Sequence, residues 1–264
     1  MITTDETVIG EIALAKGTGE DLRTLAVRAA SSLRDPRRIG GVIAATFSSP
    51  RRFPSLAVEI AARLGLPQSA PAFDLQMACS AYPYAVYLAS RLAADTGREI
   101  LVIDGDVQSR LVDAADHATG GIFSDLATAS VVSTRKSAKP GKWAFLSQYD
   151  EALVCDESGP IAMDGMKVFS FVAREVSAFL RSFVAEAGAF DAFVPHQANP
   201  YIIRQLARSL SLEDRLVTIP EAEKNPGSAS VPLALASLRG ERRALIAGFG
   251  AGYSAAAGLI TLNL

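Results

Sequence analysis

Three polar side chains interrupt apolar surroundings at places where covalent acyl chemistry could be done. Cys79 ends the strand-like run Ala72-Phe73-Asp74-Leu75-Gln76-Met77-Ala78 and stands just before a helix that begins near Ser80. His196 lies in Val194-Pro195-His196-Gln197-Ala198-Asn199, and Asn225 opens Asn225-Pro226-Gly227-Ser228-Ala229-Ser230. A thiol, an imidazole and a carboxamide held this way read as a covalent acyl-transfer site. A thiol at a helix N-terminus meets the positive end of the helix dipole and free backbone N–H groups, so its pKa is expected to fall. The dipole alone is worth about 0.3–2 kcal/mol, so a second polarising group is needed, and His196 is the candidate.

Taken singly, each of these residues is more often structural: a buried cysteine, a histidine at a strand end, an asparagine in a Pro-Gly turn. His117 and Cys155 stand in polar, loop-like contexts and are read as structural. Near the C-terminus, Gly248-Phe249-Gly250-Ala251-Gly252-Tyr253 is followed by a strand, Ala256–Leu262, where a dinucleotide-binding loop would need a helix. A tight turn that presents backbone N–H groups is expected instead, and such groups could stabilise an oxyanion.

The elements that must position these residues alternate. Strands are expected at Gly41–Thr46, Ile100–Asp104, Ala127–Ser133, Ala192–Pro195, Leu216–Ile219, Ala244–Ala247 and Ala256–Leu262. Helices are expected at Leu22–Leu33, Ser55–Leu64, Ala81–Ala94, Met166–Ala187, Tyr201–Leu210 and Val231–Leu238, with stops at Gly97 and Gly240. This is an α/β pattern with mostly parallel sheets. It also repeats at a near-constant offset. Val42–Thr46 and the helix ending Arg63-Leu64-Gly65-Leu66 answer to Phe193–Pro195 and the helix ending Ser209-Leu210-Ser211-Leu212. Ser80–Ser90 answers to Ser228–Ser237, and Arg98–Asp104 to Arg242–Ala247. A duplicated unit is expected, with halves at 1–136 and 137–264 joined near Ser137–Pro160 and related by a pseudo-twofold. The helices after Cys79 and after Gly227 would then be buried back to back.

Of the 264 residues, 49% are hydrophobic and 20% charged, enough for a substantial core. A net charge of −2 gives no electrostatic reason to expect nucleic acid. With two cysteines and two histidines at unrelated spacings, no structural zinc site can be composed. No apolar stretch is long enough to span a bilayer, and a cytoplasmic protein with reduced thiols is expected.

At these residues the chain resembles the thiolase superfamily, and most closely its β-ketoacyl-acyl carrier protein synthase III group. Ala78-Cys79-Ser80-Ala81 resembles the surroundings of the family's nucleophile, Val194–Asn199 its histidine motif, and Asn225 with Ser228-Ala229-Ser230-Val231-Pro232 its asparagine motif. The glycine turn and Phe53-Pro54-Ser55 also align. The resemblance implies a five-layered αβαβα fold with an internally duplicated core, a homodimer, and a decarboxylative condensation without cofactor or metal. Cys79 would take an acyl group from acyl-CoA or acyl carrier protein. His196 and Asn225 would bind the carbonyl of a malonyl thioester. The N–H groups of Cys79 and Ala251 would form an oxyanion hole, with Gly250 in the same turn and Phe249 lining the pocket. An interface through Gly41–Leu64 and Cys79–Leu92 is expected, covering a sheet edge.

The chain departs from the family pattern too. It looks shortened at the N-terminus, lacking a strand, a helix and the Trp and Arg that clamp CoA; its only tryptophan is Trp143. Tyr201, Lys224 and Ala251 replace a basic residue and two glycines. Two alternatives stand beside condensation: an acyltransferase that passes the Cys79 acyl group to an alcohol or amine, and a non-catalytic partner subunit of a full-length synthase.

Overall fold

Runs of β-branched and small apolar residues, buried on both faces, supply the inner strands of the protein, described by a computed structural model over residues 1–117, 119–157 and 159–264. The first half runs β1 (Ile2–Thr4), β2 (Glu6–Lys16), α1 (Leu22–Ser31), β3 (Ile39–Ala45), α2 (Leu56–Arg63), β4 (Ala72–Leu75), α3 (Ala81–Thr96), β5 (Glu99–Asp106) and β6 (Leu126–Arg135). The second runs β7 (Gly141–Ser147), the short pair β8 (Leu153–Val154) and β9 (Ala162–Met163), α4 (Gly165–Phe171), α5 (Ser177–Ala187), β10 (Ala192–Pro195), α6 (Pro200–Ser209), α7 (Ser230–Leu235), β11 (Glu241–Gly250) and β12 (Ser254–Asn263).

The strands line up as β4-β3-β5-β6-β2 and β10-β11-β12-β7, and the two sets meet where Thr261 and Leu262 of β12 pair with Val8 and Ile9 of β2. The succession β3-α2-β4-α3-β5-β6 recurs as β10-α6-extended segment-α7-β11-β12, which is the internal duplication. Five layers result. α1 and α2 cover the outer face of the first set, where Leu25, Ile60, Ile103 and Val131 share a cluster. α5 and α6 cover the outer face of the second, where Leu180, Phe183, Leu206 and Leu259 do so. Between the sheets lie α3 and α7, and Ala85 and Ala89 of α3 share the central cluster with Val231 and Ala234 of α7, Ile43, Val102 and Ile246. Small side chains let helix and sheets approach closely; truncating a core member such as Ile43 to Ala is expected to cost about 2–5 kcal/mol.

Several expectations are corrected. The sheet is mixed rather than mostly parallel: β5-β6, β2-β6, β11-β12 and β7-β12 are antiparallel, because β6 and β12 turn back directly on their neighbours instead of crossing over through a helix. Residues 2–16, to which the sequence assigns no element, build β1 and β2. Leu216–Ile219 is not a strand. Leu216 makes one bridge to Phe193, and the Gln197 carboxamide takes over the pairing by donating to Val217 O at 3.3 Å and accepting from Ile219 N at 3.2 Å. The Met166–Ala187 helix is continuous but contains a π-turn at Val172–Val176 between α4 and α5. Gly41–Leu64 does not carry the open edge: β3 lies between β4 and β5, the edge belongs to β4, and α3 is in the central layer. Trp143 is wholly buried in β7 against Gly258, where any Cβ would sit 2.2 Å from the indole.

Candidate active site

The chain reaches Cys79 through a residue most L-amino acids avoid. Ala78 has φ 42°, and with Cys79 and Ser80 it forms a 3₁₀ turn leading into α3. A left-handed alanine stores strain of order 1–2 kcal/mol, held here by hydrogen bonds around it. Ser80 Oγ lies 2.7 Å from Met77 O and 2.7 Å from Ser254 Oγ, and Ser254 Oγ lies 3.0 Å from Ala251 O, so two hydroxyl protons serve this chain of three contacts. The nucleophile turn and the glycine turn are thereby fastened together.

Their approach is close enough to dictate sequence. A Cβ on Gly250 would lie 2.8 Å from Cys79 Cβ and 3.5 Å from Sγ, and one on Gly248 would lie 2.9 Å from Ser80 Cα. Gly252 has φ 68°, which turns β11 back into β12. Phe249 is buried and meets His196 edge-on, with ring centroids 5.4 Å apart at 74°.

His196 follows β10 directly, its N–H donating to Ala247 O at 2.7 Å. Asn199 caps α6 by accepting from Ile202 N at 2.8 Å, with Pro200 at the first helical position. The ring's protonation follows from its neighbours. Gln197 N–H donates to Ser230 Oγ at 3.0 Å, and that oxygen lies 2.9 Å from His196 Nδ1. Ser230 is fully buried, so its hydroxyl proton is satisfied only by going to Nδ1, which leaves the imidazole proton on Nε2. Burial pushes the imidazole down to about 4, a hydrogen bond to the Gly227 backbone working against it. His196 is therefore a neutral donor.

Asn225 is buried and pinned on its main chain. Its N–H donates to Ile122 O at 3.0 Å, and its carbonyl accepts from Ser124 N at 3.1 Å and Gln108 Nε2 at 3.2 Å. Asn225 Oδ1 accepts from Gly227 N at 2.9 Å. That commitment leaves the Nδ2 end as a donor for a ligand. The contacts thus run from Cys79 through Gly250 and Phe249 to His196, and on through Gly227 to Asn225.

One electrostatic expectation is reversed. Burial pushes the Cys79 thiol up to about 12, with Asp106 and then Asp104 adding to the rise. Taking a thiolate out of water outweighs the helix N-terminus. The two carboxyls were not recognised from sequence. Asp106 Oδ1 accepts from Thr46 Oγ1, Phe47 N, Ser48 N and Ser48 Oγ at 2.7–3.0 Å, clamping a wall of the site. Burial nonetheless raises it to about 6, and holds Asp104 well above the usual carboxylate range. Two aspartates at the end of an apolar strand were the available signal; Ser228 and Ser230, whose partners are distant in sequence, gave none.

A cavity of 830 Å³ beside Cys79 is lined by Phe47, Val107, Phe123, Ile161 and Ala251, so Ala251 shares the space in front of the thiol. Exposed Cys155 lines it as well, whereas His117 is exposed in a turn. A second cavity of 600 Å³ reaches Asn225, between Gln197, Asn199, Arg204 and Lys224. Among the described residues there is no cluster suited to a metal ion and no helix long and apolar enough to cross a membrane.

Residues 73–149 match the family model for 3-oxoacyl-[acyl-carrier-protein] synthase III, and residues 185–262 match that for its C-terminal part. The β-ketoacyl-[acyl-carrier-protein] synthase III of Neisseria meningitidis serogroup A is 31% identical over 263 residues, covering 89% of this chain and 82% of that protein. Synthase III 1 of Streptomyces coelicolor is 32% identical over 265 residues, covering 86% and 77%. Among solved structures, the priming β-ketosynthase of the R1128 polyketide pathway superposes with TM-score 0.87 at 25% identity, covering 100% and 98%. A 3-oxoacyl-(acyl-carrier protein) synthase from Burkholderia xenovorans has the same fold, with TM-score 0.91 at 21% identity, covering 99% and 95%.

Proposed function

The chain belongs to the β-ketoacyl-[acyl-carrier-protein] synthase III family of acyl-transferring condensing enzymes, and we propose that Cys79, His196 and Asn225 carry its reaction. In the first half-reaction Cys79 Sγ attacks the carbonyl carbon of an acyl thioester. The C–S bond to the carrier breaks, and the thiol proton leaves with the carrier sulfur. The N–H groups of Cys79 and Ala251 face the oxygen that becomes negative, where one donor is worth about 3–4 kcal/mol in rate.

In the second half-reaction a malonyl thioester places its carbonyl between His196 Nε2–H and Asn225 Nδ2–H. The bond to the carboxylate breaks, carbon dioxide leaves, and the electron pair enters the enolate that the two donors hold. The enolate carbon then attacks the acyl-Cys79 carbonyl, expelling the thiolate, which takes up a proton. Losing carbon dioxide requires donors rather than a base, and the observation that carries this reading is the pair of commitments behind them: Ser230 occupies Nδ1, and Gly227 occupies Oδ1. The apolar walls around Cys79 suit keeping water from the acyl-enzyme.

The same reading takes acyl-CoA or acyl carrier protein as donor, divides the chain at 136/137 between β6 and β7, and makes it a cytoplasmic homodimer. The open edge of β4 supports pairing with a second copy. Intact-protein mass spectrometry with a panel of acyl-CoA and acyl carrier protein thioesters tests loading, and labelled carbon dioxide release from malonyl thioester tests condensation. Loading without carbon dioxide release, together with esterification or amidation of an added acceptor, would replace condensation by simple acyl transfer.

A further inference from the structure

We propose that Asp104 is a positioning residue: as an uncharged hydrogen-bond acceptor it ties the turn that carries Asn225 to the strand beside the nucleophile. Asp104 lies near the end of β5 with no exposed surface. Its Oδ1 accepts from Ser228 Oγ at 2.5 Å, while among the described residues Oδ2 has no hydrogen-bond partner. Its carbonyl accepts from Thr128 Oγ1 at 3.0 Å on β6, and on its other side it faces Ala45 of β3. The groups that interact with it electrostatically are Asp106 on its own strand, Cys79 in the nucleophile turn and Tyr82 on α3. None is positively charged.

An ionised carboxylate in that setting would be buried without a counter-ion and would oppose formation of the Cys79 thiolate. A carboxylic acid avoids both penalties and still accepts from Ser228 through Oδ1; the O–H it leaves on Oδ2 without a partner among the described residues costs less than an uncompensated buried charge. Four donors from the 46–48 loop gather on Asp106 Oδ1, all within its own half. Asp104 instead reaches into the other half, to the residue three places after Asn225. With the Asn225 carboxamide fixed at Gly227 N, the Ser228 bond anchors the far end of the same turn. This bond joins those of Gln108, Ile122 and Ser124 to Asn225 in setting the residue that holds the enolate against the half that loads the acyl group, and it is the one that reaches the far end of the turn from the strand beside the nucleophile.

This inference rests on the role given to Asn225 above, and the experiment separates the two. Asp104→Asn, Asp104→Ala and Ser228→Ala are compared with the wild type in acyl loading, in malonyl-thioester decarboxylation, and in the pH profile of Cys79 alkylation by iodoacetamide. Asp104→Asn keeps the acceptor, so decarboxylation should stay within about threefold of wild type and the alkylation midpoint should not move. Asp104→Ala and Ser228→Ala should lose about tenfold or more in decarboxylation kcat, with loading within about threefold. A fall of about one pH unit in the alkylation midpoint of Asp104→Asn would mean that Asp104 is charged, and would overturn the proposal. Equal losses in loading and decarboxylation in Ser228→Ala, or no loss, would overturn it too. If Asp104→Ala does not fold, the other two variants decide. If the wild type itself releases no carbon dioxide, the Asn225 reading fails, while the alkylation profile still reports the charge on Asp104.

Discussion

The two helices at the centre of the molecule occupy equivalent places in the duplicated fold, yet their N-termini present different chemistry. Each is entered through a 3₁₀ turn with a left-handed residue: Ala78 at φ 42° before α3, and Gly227 at φ 65° before α7. Before α7 the left-handed residue is glycine, which adopts that conformation without strain. Before α3 it is an alanine, and strain is stored beside the thiol. The Cys79 end is also apolar and close-packed against Gly248 and Gly250, while the Asn225 end is dense with hydrogen bonds from Gln108, Ser124, Gly227 and Ser228. A nucleophile must be able to change charge and bond partners. A pair of donors to an enolate must not move.

Removing the nucleophile should break the comparison most severely. Cys79→Ala is expected to abolish acyl loading, seen as loss of the mass increment, and to lower condensation by about 10⁴-fold or more. Decarboxylation of malonyl thioester should persist, because its donors belong to the other helix end. Complete loss of carbon dioxide release in this variant would show that the two ends do not act separately.

His196→Ala and Asn225→Ala test the opposite end. Each should slow decarboxylation about 10²–10³-fold while Cys79 still loads. Ser230→Ala should follow in the same direction by a smaller factor, because the Nε2–H tautomer loses its support. Single-turnover loading against labelled carbon dioxide release separates these effects.

Packing is the next test. In Gly250→Ala the new methyl would lie 2.8 Å from Cys79 Cβ, an atom with no freedom to swing away. A stability loss of about 1–3 kcal/mol is expected, with loading slowed more than decarboxylation. A Gly252→Ala change strains a left-handed residue whose new methyl meets no atom within 4 Å, so it should lower the melting temperature without that bias.

What the sequence could disclose follows from the same contrast. Cys79, His196 and Asn225 stand out because polar residues interrupt apolar runs, and the duplicated order is visible because helix and strand periods repeat. β2 was not legible because its charges are buried by partners far away. Glu6 meets Arg135 at 2.7 Å and Glu11 meets Arg38 at 2.6 Å, so a strand that reads as half polar is mostly interior. A bulge between Ile9 and Glu11 further breaks its alternation. Asp104 and Ser228 are 124 residues apart, and no local pattern announces such a bond. The thiol's pKa departs from the sequence expectation for a related reason: a helix start can be read from sequence, but the depth of burial in front of it cannot.

The smallest expected effect concerns acid stability, where the two halves oppose each other. His196 is held down to about 4 from 6.5, so between those values the unfolded chain binds more protons than the folded one, and stability rises with pH. Asp106 is raised to about 6 from 3.8, so between those values the folded chain binds more protons, and stability falls with pH. The shifts are similar in size, about 3 kcal/mol each over their full ranges, and across pH 4–6 they nearly cancel. Urea unfolding at pH 4.5 and 6.5 should uncover them separately. His196→Gln removes the rising limb, so stability at pH 6.5 relative to pH 4.5 should fall by about 2 kcal/mol compared with wild type. Asp106→Asn keeps its acceptor oxygen and removes the falling limb, so the same difference should increase by about as much. Changes of the same sign in both variants, or none in either, would mean that the imidazole and the carboxyl are not held in the ionisation states that burial dictates.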